Sequence, residues 1–282
     1  MKLLWGNNFF GKPNKKIIIE DNYFEKLVDT EKVWMKFLEI YNSDLSHIEL
    51  DISKCSYISN TGITILAALG PICENKGRKI SIEYGNKTEL ANLFTKFEPF
   101  AQKNIKKFKS IPFRRFRNEN EILEVLDDLP KIEEISILDK KTRDEIHSRL
   151  YELCTNSCEH GANNIGTVCN GTIITNKNYL TFTVFDFGKG IKDNVNNHLK
   201  KELSTKEALE WAFTESNSTK QKPGFPRGAG FTTTFGFINK YNGQLILYTD
   251  DICCVYKDDK CYYKELDFSV LGTLITVTIK LP

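Results

Sequence analysis

The residues of this chain that are best suited to chemistry lie in the segment 152–161. Glu152, Asn156 and His160 follow one another at intervals of four, and residues at that spacing lie on one face of an α-helix. The oxygens of a carboxylate and a carboxamide suit a hard cation such as magnesium, and a carboxylate beside bound phosphate can polarise a nucleophile. Taken alone, the pattern fits equally well a surface helix with a polar side that ends at Gly161.

An acidic residue at the end of a predicted strand is the second feature. Residues 179–186 are rich in β-branched and aromatic side chains, which predicts a strand that runs directly into Gly188 and Gly190. Asp186 falls on the apolar side of this strand, where a carboxylate needs a hydrogen-bond partner, and the glycines let backbone approach a flat ligand closely. The alternative is a strand-ending turn in which the carboxylate accepts hydrogen bonds from nearby backbone N–H groups.

A glycine-rich loop, residues 224–230, is the third feature. It is followed by Phe231, Phe235 and Ile238, whose spacing predicts a helix. The N-terminus of a helix offers free N–H groups and the positive end of the helix dipole to a phosphate. Glycines before a helix are weak evidence by themselves, so the argument depends on the order of the three features.

In this order and spacing, the three features resemble the GHKL, or Bergerat-fold, ATP-binding domain over residues 136–282. The stretch 272–279 looks like the closing strand of that family. Glu-x-x-x-Asn-x-x-x-His-Gly looks closest to the branch of anti-sigma-factor serine kinases. A sensor histidine kinase carries its phosphoacceptor histidine on a separate upstream hairpin, whereas His147 lies on the same predicted helix as Glu152. The resemblance implies an ATP site that uses Mg²⁺.

The resemblance also implies roles for single residues. Glu152 would be the base, Asn156 would bind Mg²⁺, Asp186 would accept from the adenine amino group, and Thr273 would contact adenine through water. The remaining residues implied at the nucleotide come from the two glycine-containing segments and are Gly188, Gly190, Ile191, Gly228, Ala229, Gly230 and Phe231. Lys222 and Arg227 are the cations best placed in sequence to meet the γ-phosphate, with solvated surface charge as the alternative for both.

The N-terminal part carries a second resemblance. Residues 48–52 and 79–84 read as strands on either side of a helix over residues 63–74. This pattern looks like a STAS domain, the fold of anti-sigma-factor antagonists, in which a serine before the helix is phosphorylated. Asn60 occupies that position here, so the loop lacks the phosphoacceptor. Thr61 keeps a hydroxyl, and the alternative role for it is the N-cap of the helix.

Length and composition are consistent with two domains. The chain has 282 residues, and each half is as long as an ordinary globular domain with its own core. We predict an α/β protein of the α+β sandwich type, with a STAS-like domain at residues 1–102, a basic connector at 103–135 and the Bergerat-type domain at 136–282. The net charge of +2 is too small to indicate nucleic-acid binding.

The charge is not evenly distributed along the chain, and residues 103–117 carry only basic charges. Seven lysines and arginines and three phenylalanines alternate there without an acidic residue. Such a mixture can bind a phosphate backbone or an acidic partner. A connector whose phenylalanines pack while its charges stay solvated is the interpretation that we favour.

Eight cysteines occur in the chain, and no secretory or membrane-spanning segment is recognisable. We therefore expect a cytoplasmic protein with reduced thiols and no membrane partner. Cys154 and Cys158 lie beside His160, which raises zinc as a weaker alternative to buried apolar packing. The turn between Cys254 and Cys261 looks like that of a structural hairpin.

Two functions remain open from the sequence. In the first, the chain is a regulatory serine/threonine kinase of the anti-sigma type or a slow ATPase, with Glu152 as base. In the second, it is a nucleotide-gated interaction module in which catalysis is slow or absent. Glu152 favours the first function, and the absence of a serine at Asn60 favours the second. Both imply a protein partner and allow a homodimer.

Overall fold

A computed structural model gives the structure of residues 2–5, 15–18, 27–54, 59–83, 110–161, 164–174, 177–214, 217 and 230–282. The chain divides into two compact units. The first contains Met1–Ile105 and Pro112–Arg114, and the second contains Lys106–Ile111 and Arg115–Pro282. Both helices and sheets are present, so the predicted α+β class is confirmed.

The first unit contains a mixed four-stranded sheet. Its strands, in chain order, are β1 (Lys2–Trp5), β2 (Lys15–Ile18), β3 (His47–Asp51) and β4 (Lys79–Glu83). They lie in the order β1-β4-β3-β2, in which β3 is parallel to both its neighbours and β1 is antiparallel to β4.

Two helices complete the described part of this unit. Helix α1 spans Leu27–Asn42 and packs against helix α2, which spans Asn60–Asn75. The core consists of large apolar side chains from both helices and from the central strands, among them Trp34, Phe37, Ile40, Ile48, Leu50, Ile65, Leu69, Ile80 and Ile82.

The start of α2 differs from the sequence-based expectation. The N-cap is Ser59, whose Oγ accepts a hydrogen bond from the backbone N–H of Gly62 at 3.1 Å. Asn60 and Thr61 are both buried in the first turn of the helix. The role of N-cap considered for Thr61 is therefore wrong, because the helix begins before that residue.

The second unit is built on a five-stranded sheet. Its strands are β5 (Ser110–Phe116, of which residues 112–114 are counted in the first unit), β6 (Thr167–Ile174), β7 (Tyr179–Asp186), β8 (Gln244–Lys257) and β9 (Lys260–Lys280). They lie in the order β5-β6-β7-β9-β8, and the pairs β6–β7, β7–β9 and β9–β8 are antiparallel. Strand β7 has the bounds that the sequence predicts and lies at the centre of the sheet.

The helices of the second unit are α3 (Glu119–Leu126), α4 (Glu133–Ser136), α5 (Lys140–His160), α6 (Gly190–Leu199), α7 (Thr205–Phe213) and α8 (Gly230–Lys240). A short 3₁₀ helix, Leu129–Lys131, lies between α3 and α4. The segment 103–135, expected to be a connector, thus contains regular secondary structure from Ser110 onward. The side chains of Ile111 and Phe116 are fully buried, which agrees with packing of its apolar residues.

Strands β8 and β9 extend beyond the rest of the sheet. Asp186, the last residue of β7, pairs with Thr273, so the earlier part of β9 pairs with β8 alone among the described strands. We call the resulting two-stranded part, residues 252–265, the ribbon. Its turn at Asp258 and Asp259 has positive φ at both residues, as the predicted hairpin turn requires.

The described residues include no helix that is both long enough and apolar enough to cross a membrane.

Candidate functional site

Helix α5 carries the first group of predicted site residues. Asp139 caps its N-terminus by accepting from the backbone N–H of Thr142 at 3.0 Å. An apolar stripe that contains Ile146, Leu150 and Leu153 is buried and fixes the rotation of the helix. Because of this rotation, the half-buried Glu152 and Asn156 lie on the more open side of α5, one turn apart.

The Glu152 carboxylate is held by two side chains. Its Oε2 accepts from an Arg149 guanidinium nitrogen at 2.6 Å, and both its oxygens lie 3.3 Å from the donor hydroxyl of Thr233 in α8. Partial burial raises the pKa of Glu152, and Arg149 and Thr233 oppose that effect. A carboxylate with a raised pKa is a better proton acceptor near neutral pH.

Asp186 is held by backbone instead. It is 2% exposed, its Oδ1 accepts from the N–H of Gly188 at 2.9 Å, and it also accepts from the N–H of Thr273. Burial raises the pKa of Asp186 to about 7, and the two N–H groups oppose the shift. The alternative considered from the sequence, a carboxylate bonded to backbone, thus describes its local contacts. It does not account for the burial of an ionisable group.

Three glycines allow chain segments to meet at Asp186. A Cβ on Gly161 would lie 2.6 Å from the Cβ of Asp186, and one on Gly272 would lie 2.1 Å from the carbonyl oxygen of Asp186. A Cβ on Gly188 would lie 2.4 Å from the carbonyl oxygen of His160. The end of α5, the segment after β7 and the start of the closing part of β9 therefore converge on one buried carboxylate.

Two backbone N–H groups at the start of α6 already donate hydrogen bonds to side chains of the protein. The N–H of Ile191 donates to the hydroxyl of Thr249 at 3.1 Å, and the N–H of Lys192 donates to Asp250 Oδ2 at 3.4 Å. Gly190 has φ +80°, and a Cβ there would lie 2.8 Å from the Asp250 carboxylate. Gly190 and Ile191, which were predicted at the nucleotide, thus contact β8 and position α6 beside it.

Helix α8 begins at Gly230, the last glycine of the second predicted segment. The ring of Phe231 packs edge-on against Phe213 of α7, with ring centroids 4.9 Å apart, and lies 6.0 Å from Phe235. Phe231 therefore belongs to an aromatic cluster between α7 and α8. The other members of this predicted group, Lys222, Arg227, Gly228 and Ala229, lie outside the described residues.

The structure thus connects α5 to Asp186 through Gly161 and to α8 through the contact between Glu152 and Thr233. Several site residues were not predicted from the sequence, namely Arg149, Thr233, Thr249, Asp250 and Gly272. A signal existed for two of them. Arg149 precedes Glu152 by three residues on a predicted helix, and Gly272 directly precedes Thr273.

The described residues contain no cluster of side chains that could coordinate a metal ion by themselves. Within the ranges given above, no three His, Cys, Asp or Glu side chains are grouped so that they could hold an ion. Cys154, considered for zinc, is buried and hydrogen-bonded to Cys169, and burial raises the pKa of its thiol. Magnesium in nucleotide sites needs fewer protein ligands, because phosphate oxygens and water supply most of its shell. The Asn156 oxygen and the nearby Glu152 carboxylate have the hard donors that such an ion takes.

A scan against models of known protein families gives no match to this chain, and a search of curated proteins gives none either. The resemblance to GHKL domains therefore stays a prediction from the sequence motifs.

Proposed function

We propose that the second unit binds magnesium-ATP in the manner of a GHKL-type regulatory protein. The observation that carries this proposal is the buried Asp186 carboxylate. Burying an ionisable group without a cation is costly, and no cation among the described residues offsets the burial of Asp186. Groups with strongly shifted pKa values concentrate at functional sites. A buried acceptor beside glycine backbone, which has no side chain in the way, suits a flat base that offers an amino group.

The two carboxylates would then have different tasks. Asp186 accepts a hydrogen bond from the adenine amino group, and Asn156 provides an oxygen ligand for the magnesium ion. Bound magnesium-ATP would supply the phosphoryl group for transfer to a hydroxyl or to water. Glu152 accepts the proton from that attacking group, while Arg149 and Thr233 hold its carboxylate in one orientation. This arrangement corresponds to a slow ATPase or a serine/threonine kinase of the anti-sigma type.

A nucleotide-gated interaction module is the second candidate, and the first unit favours it. Where the resembling family has a serine, this chain has Asn60, which is buried together with Thr61 in the first turn of α2. The hydroxyl oxygen of Ser59, which directly precedes α2, is engaged as the N-cap of that helix. In this candidate, ATP binding alone would change how the protein engages a protein partner. A cytoplasmic location, with ATP at hand and thiols reduced, belongs to both candidates.

A thermal melt with and without magnesium-ATP tests the proposal. A ligand at about 100 times its dissociation constant adds roughly 2.7 kcal/mol to the free energy of unfolding, which such a melt resolves. We expect the shift in the parent chain and a much smaller one in Asp186→Asn. An absent shift in the parent chain at millimolar magnesium-ATP would rule out the ATP site.

Labelled ATP then separates the two candidates. A kinase leaves label on protein, an ATPase releases labelled phosphate, and an interaction module leaves the ATP intact. The third result, obtained with tight binding and with candidate partner proteins present, would favour the module.

A further inference from the structure

Two cysteines of the ribbon lie next to each other on adjacent strands. Cys254 of β8 pairs in register with Tyr263, and Cys261 of β9 pairs with Tyr256. The cysteines are therefore diagonal neighbours on one face of the ribbon. The thiol of Cys254 donates a hydrogen bond to the sulfur of Cys261. This hydrogen bond brings the two thiols close together within the existing strand register.

The face that carries the thiols packs against two helices. The ring of Tyr256 stacks on Phe235 of α8, with ring centroids 3.8 Å apart. Lys206 of α7 lies over the ring of Tyr263, 5.5 Å from its centroid, and forms an ion pair with Glu210 one turn later. Of the two thiols, Cys254 is buried and Cys261 remains partly exposed.

The surroundings divide the two thiols into an attacking and a resolving group. Hydrogen bonds from Cys254 and Tyr263 stabilise the thiolate of Cys261 and lower its pKa to about 7, against the effects of burial and of Glu210. The hydrogen bond to Cys261, together with burial, raises the pKa of Cys254. A thiol with a pKa near the ambient pH combines thiolate population with nucleophilicity and reacts best in exchange.

We propose that Cys254 and Cys261 form a thiol–disulfide exchange site whose reactants are small-molecule disulfides. The Cys261 thiolate attacks one sulfur of the small disulfide, forms a mixed disulfide and releases one thiolate. Cys254 then loses its proton and attacks the Cys261 sulfur, which closes the intramolecular disulfide and releases the second thiolate. The two cysteines are oxidised, the small disulfide is reduced to two thiols, and the two protein protons end on those thiols.

A second thiol pair in the same unit provides an internal control. Cys154 of α5 and Cys169 of β6 are also hydrogen-bonded to each other. Both are fully buried, and burial raises the pKa of Cys154. This pair has the contact but lacks access to solvent, and the pKa of its Cys154 thiol is raised, so it should stay reduced where the ribbon pair reacts.

The full-length chain is incubated with oxidised glutathione at pH 7, free thiols are blocked by alkylation, and peptides are mapped by mass spectrometry. We expect a Cys254–Cys261 linkage that a thiol reductant reverses, and no Cys154–Cys169 linkage. In Cys254→Ala, the mixed disulfide on Cys261 should accumulate because the resolving thiol is missing. In Cys261→Ser, the reaction at both ribbon positions should be lost.

The pH dependence of alkylation provides a second measurement. The alkylation rate of Cys261 should rise with a midpoint near pH 7, and this midpoint should move upward in Cys254→Ala and in Tyr263→Phe. A parent chain that accumulates the mixed disulfide without closing would overturn the proposal. Equal oxidation of Cys154 and Cys169, or a Cys261 midpoint at that of an ordinary thiol, would overturn it as well.

Discussion

The two carboxylates of the candidate site are held in different ways. Asp186 ends a central strand, is 2% exposed and is bonded to backbone N–H groups. Glu152 lies on a helix, its side chain is 28% exposed, and it is bonded to the side chains of Arg149 and Thr233. The Thr273 donor belongs to strand β9 and cannot move independently of the sheet, whereas side-chain donors can rotate. The Asp186 end is therefore suited to fixed recognition, and the Glu152 end to a proton transfer that changes its partners.

Glu152→Gln tests the chemical end of this comparison and should have the largest effect. The amide keeps the shape of the side chain and removes its basicity. If Glu152 is the base, ATP should still bind, while hydrolysis or phosphotransfer should fall by roughly 10²–10⁴-fold. Single-turnover kinetics and ATP titration measure the two quantities separately. Glu159→Gln makes the same chemical change on an exposed part of α5 and serves as the control. Unchanged turnover in Glu152→Gln would show that Glu152 is not the base.

Asp186→Asn tests the role of the buried carboxyl through the pH dependence of stability. The carboxyl has an ordinary pKa of 3.8, which burial raises to about 7 in the folded chain. The folded state therefore binds this proton more tightly than the unfolded state. Its contribution to stability is fully present below about pH 4 and is lost as the pH rises through about 7, by at most about 4 kcal/mol. Because asparagine does not titrate, this part of the pH dependence should be absent from the variant.

Chemical denaturation at several pH values measures this difference between Asp186→Asn and the parent chain. Asp193→Asn, at an exposed position of α6, is the matched control and should retain the parental curve. The same Asp186→Asn variant should also bind ATP more weakly, since an amide presents a donor where the carboxylate presents an acceptor. Parental pH dependence in the variant would mean that another group titrates. Parental ATP affinity would restrict Asp186 to a structural role.

Asn156→Ala tests whether Asn156 provides a ligand for the magnesium ion. Removal of one oxygen ligand should weaken magnesium-dependent ATP binding by about 1.5 kcal/mol, roughly tenfold in the dissociation constant. ATP binding with magnesium removed by a chelator should be unchanged. Isothermal titration under both conditions measures the two values. An equal loss with and without magnesium would place Asn156 at the nucleotide itself, and no loss would remove it from the site.

The predicted features agree with the structure where the signal is local. Strand β7 was predicted from the composition of residues 179–186, and helix α8 from the spacing of Phe231, Phe235 and Ile238. Both signals depend only on residues that are close in sequence. The start of α2 was less well predicted, because burial of its first turn extends the helix beyond its local signal.

Contacts across the fold could not be predicted from the sequence. Thr233 reaches Glu152 from a helix 81 positions later in the chain, and no spacing rule links them. Asp250 was not singled out, although its carboxylate packs against Gly190 and accepts from the first turn of α6. Such partners are determined by which elements the sheet brings together. Residue type indicated that Asp186 needs partners, and only the fold identifies them as Gly188 and Thr273.

The smallest expected effect tests how Glu152 is positioned. Thr233→Val keeps the shape of the side chain and removes the hydroxyl that lies 3.3 Å from both carboxylate oxygens. At that length the hydrogen bond contributes about 0.5–1 kcal/mol, so turnover should fall roughly twofold to fivefold. Because this hydroxyl lowers the pKa of Glu152, its removal should also move the acidic limb of the pH–rate profile to higher pH.

Thr232→Val, at the neighbouring position of α8, is the matched control and should leave both quantities at parental values. The pH profile is the decisive measurement, because a general loosening of α8 would lower turnover without moving the acidic limb. A fall in turnover with an unmoved limb would mean that Thr233 stabilises α8 and does not act on the carboxylate. A moved limb with unchanged ATP affinity would instead agree with the comparison above, in which the Glu152 end depends on side chains that can be changed without disturbing recognition at Asp186.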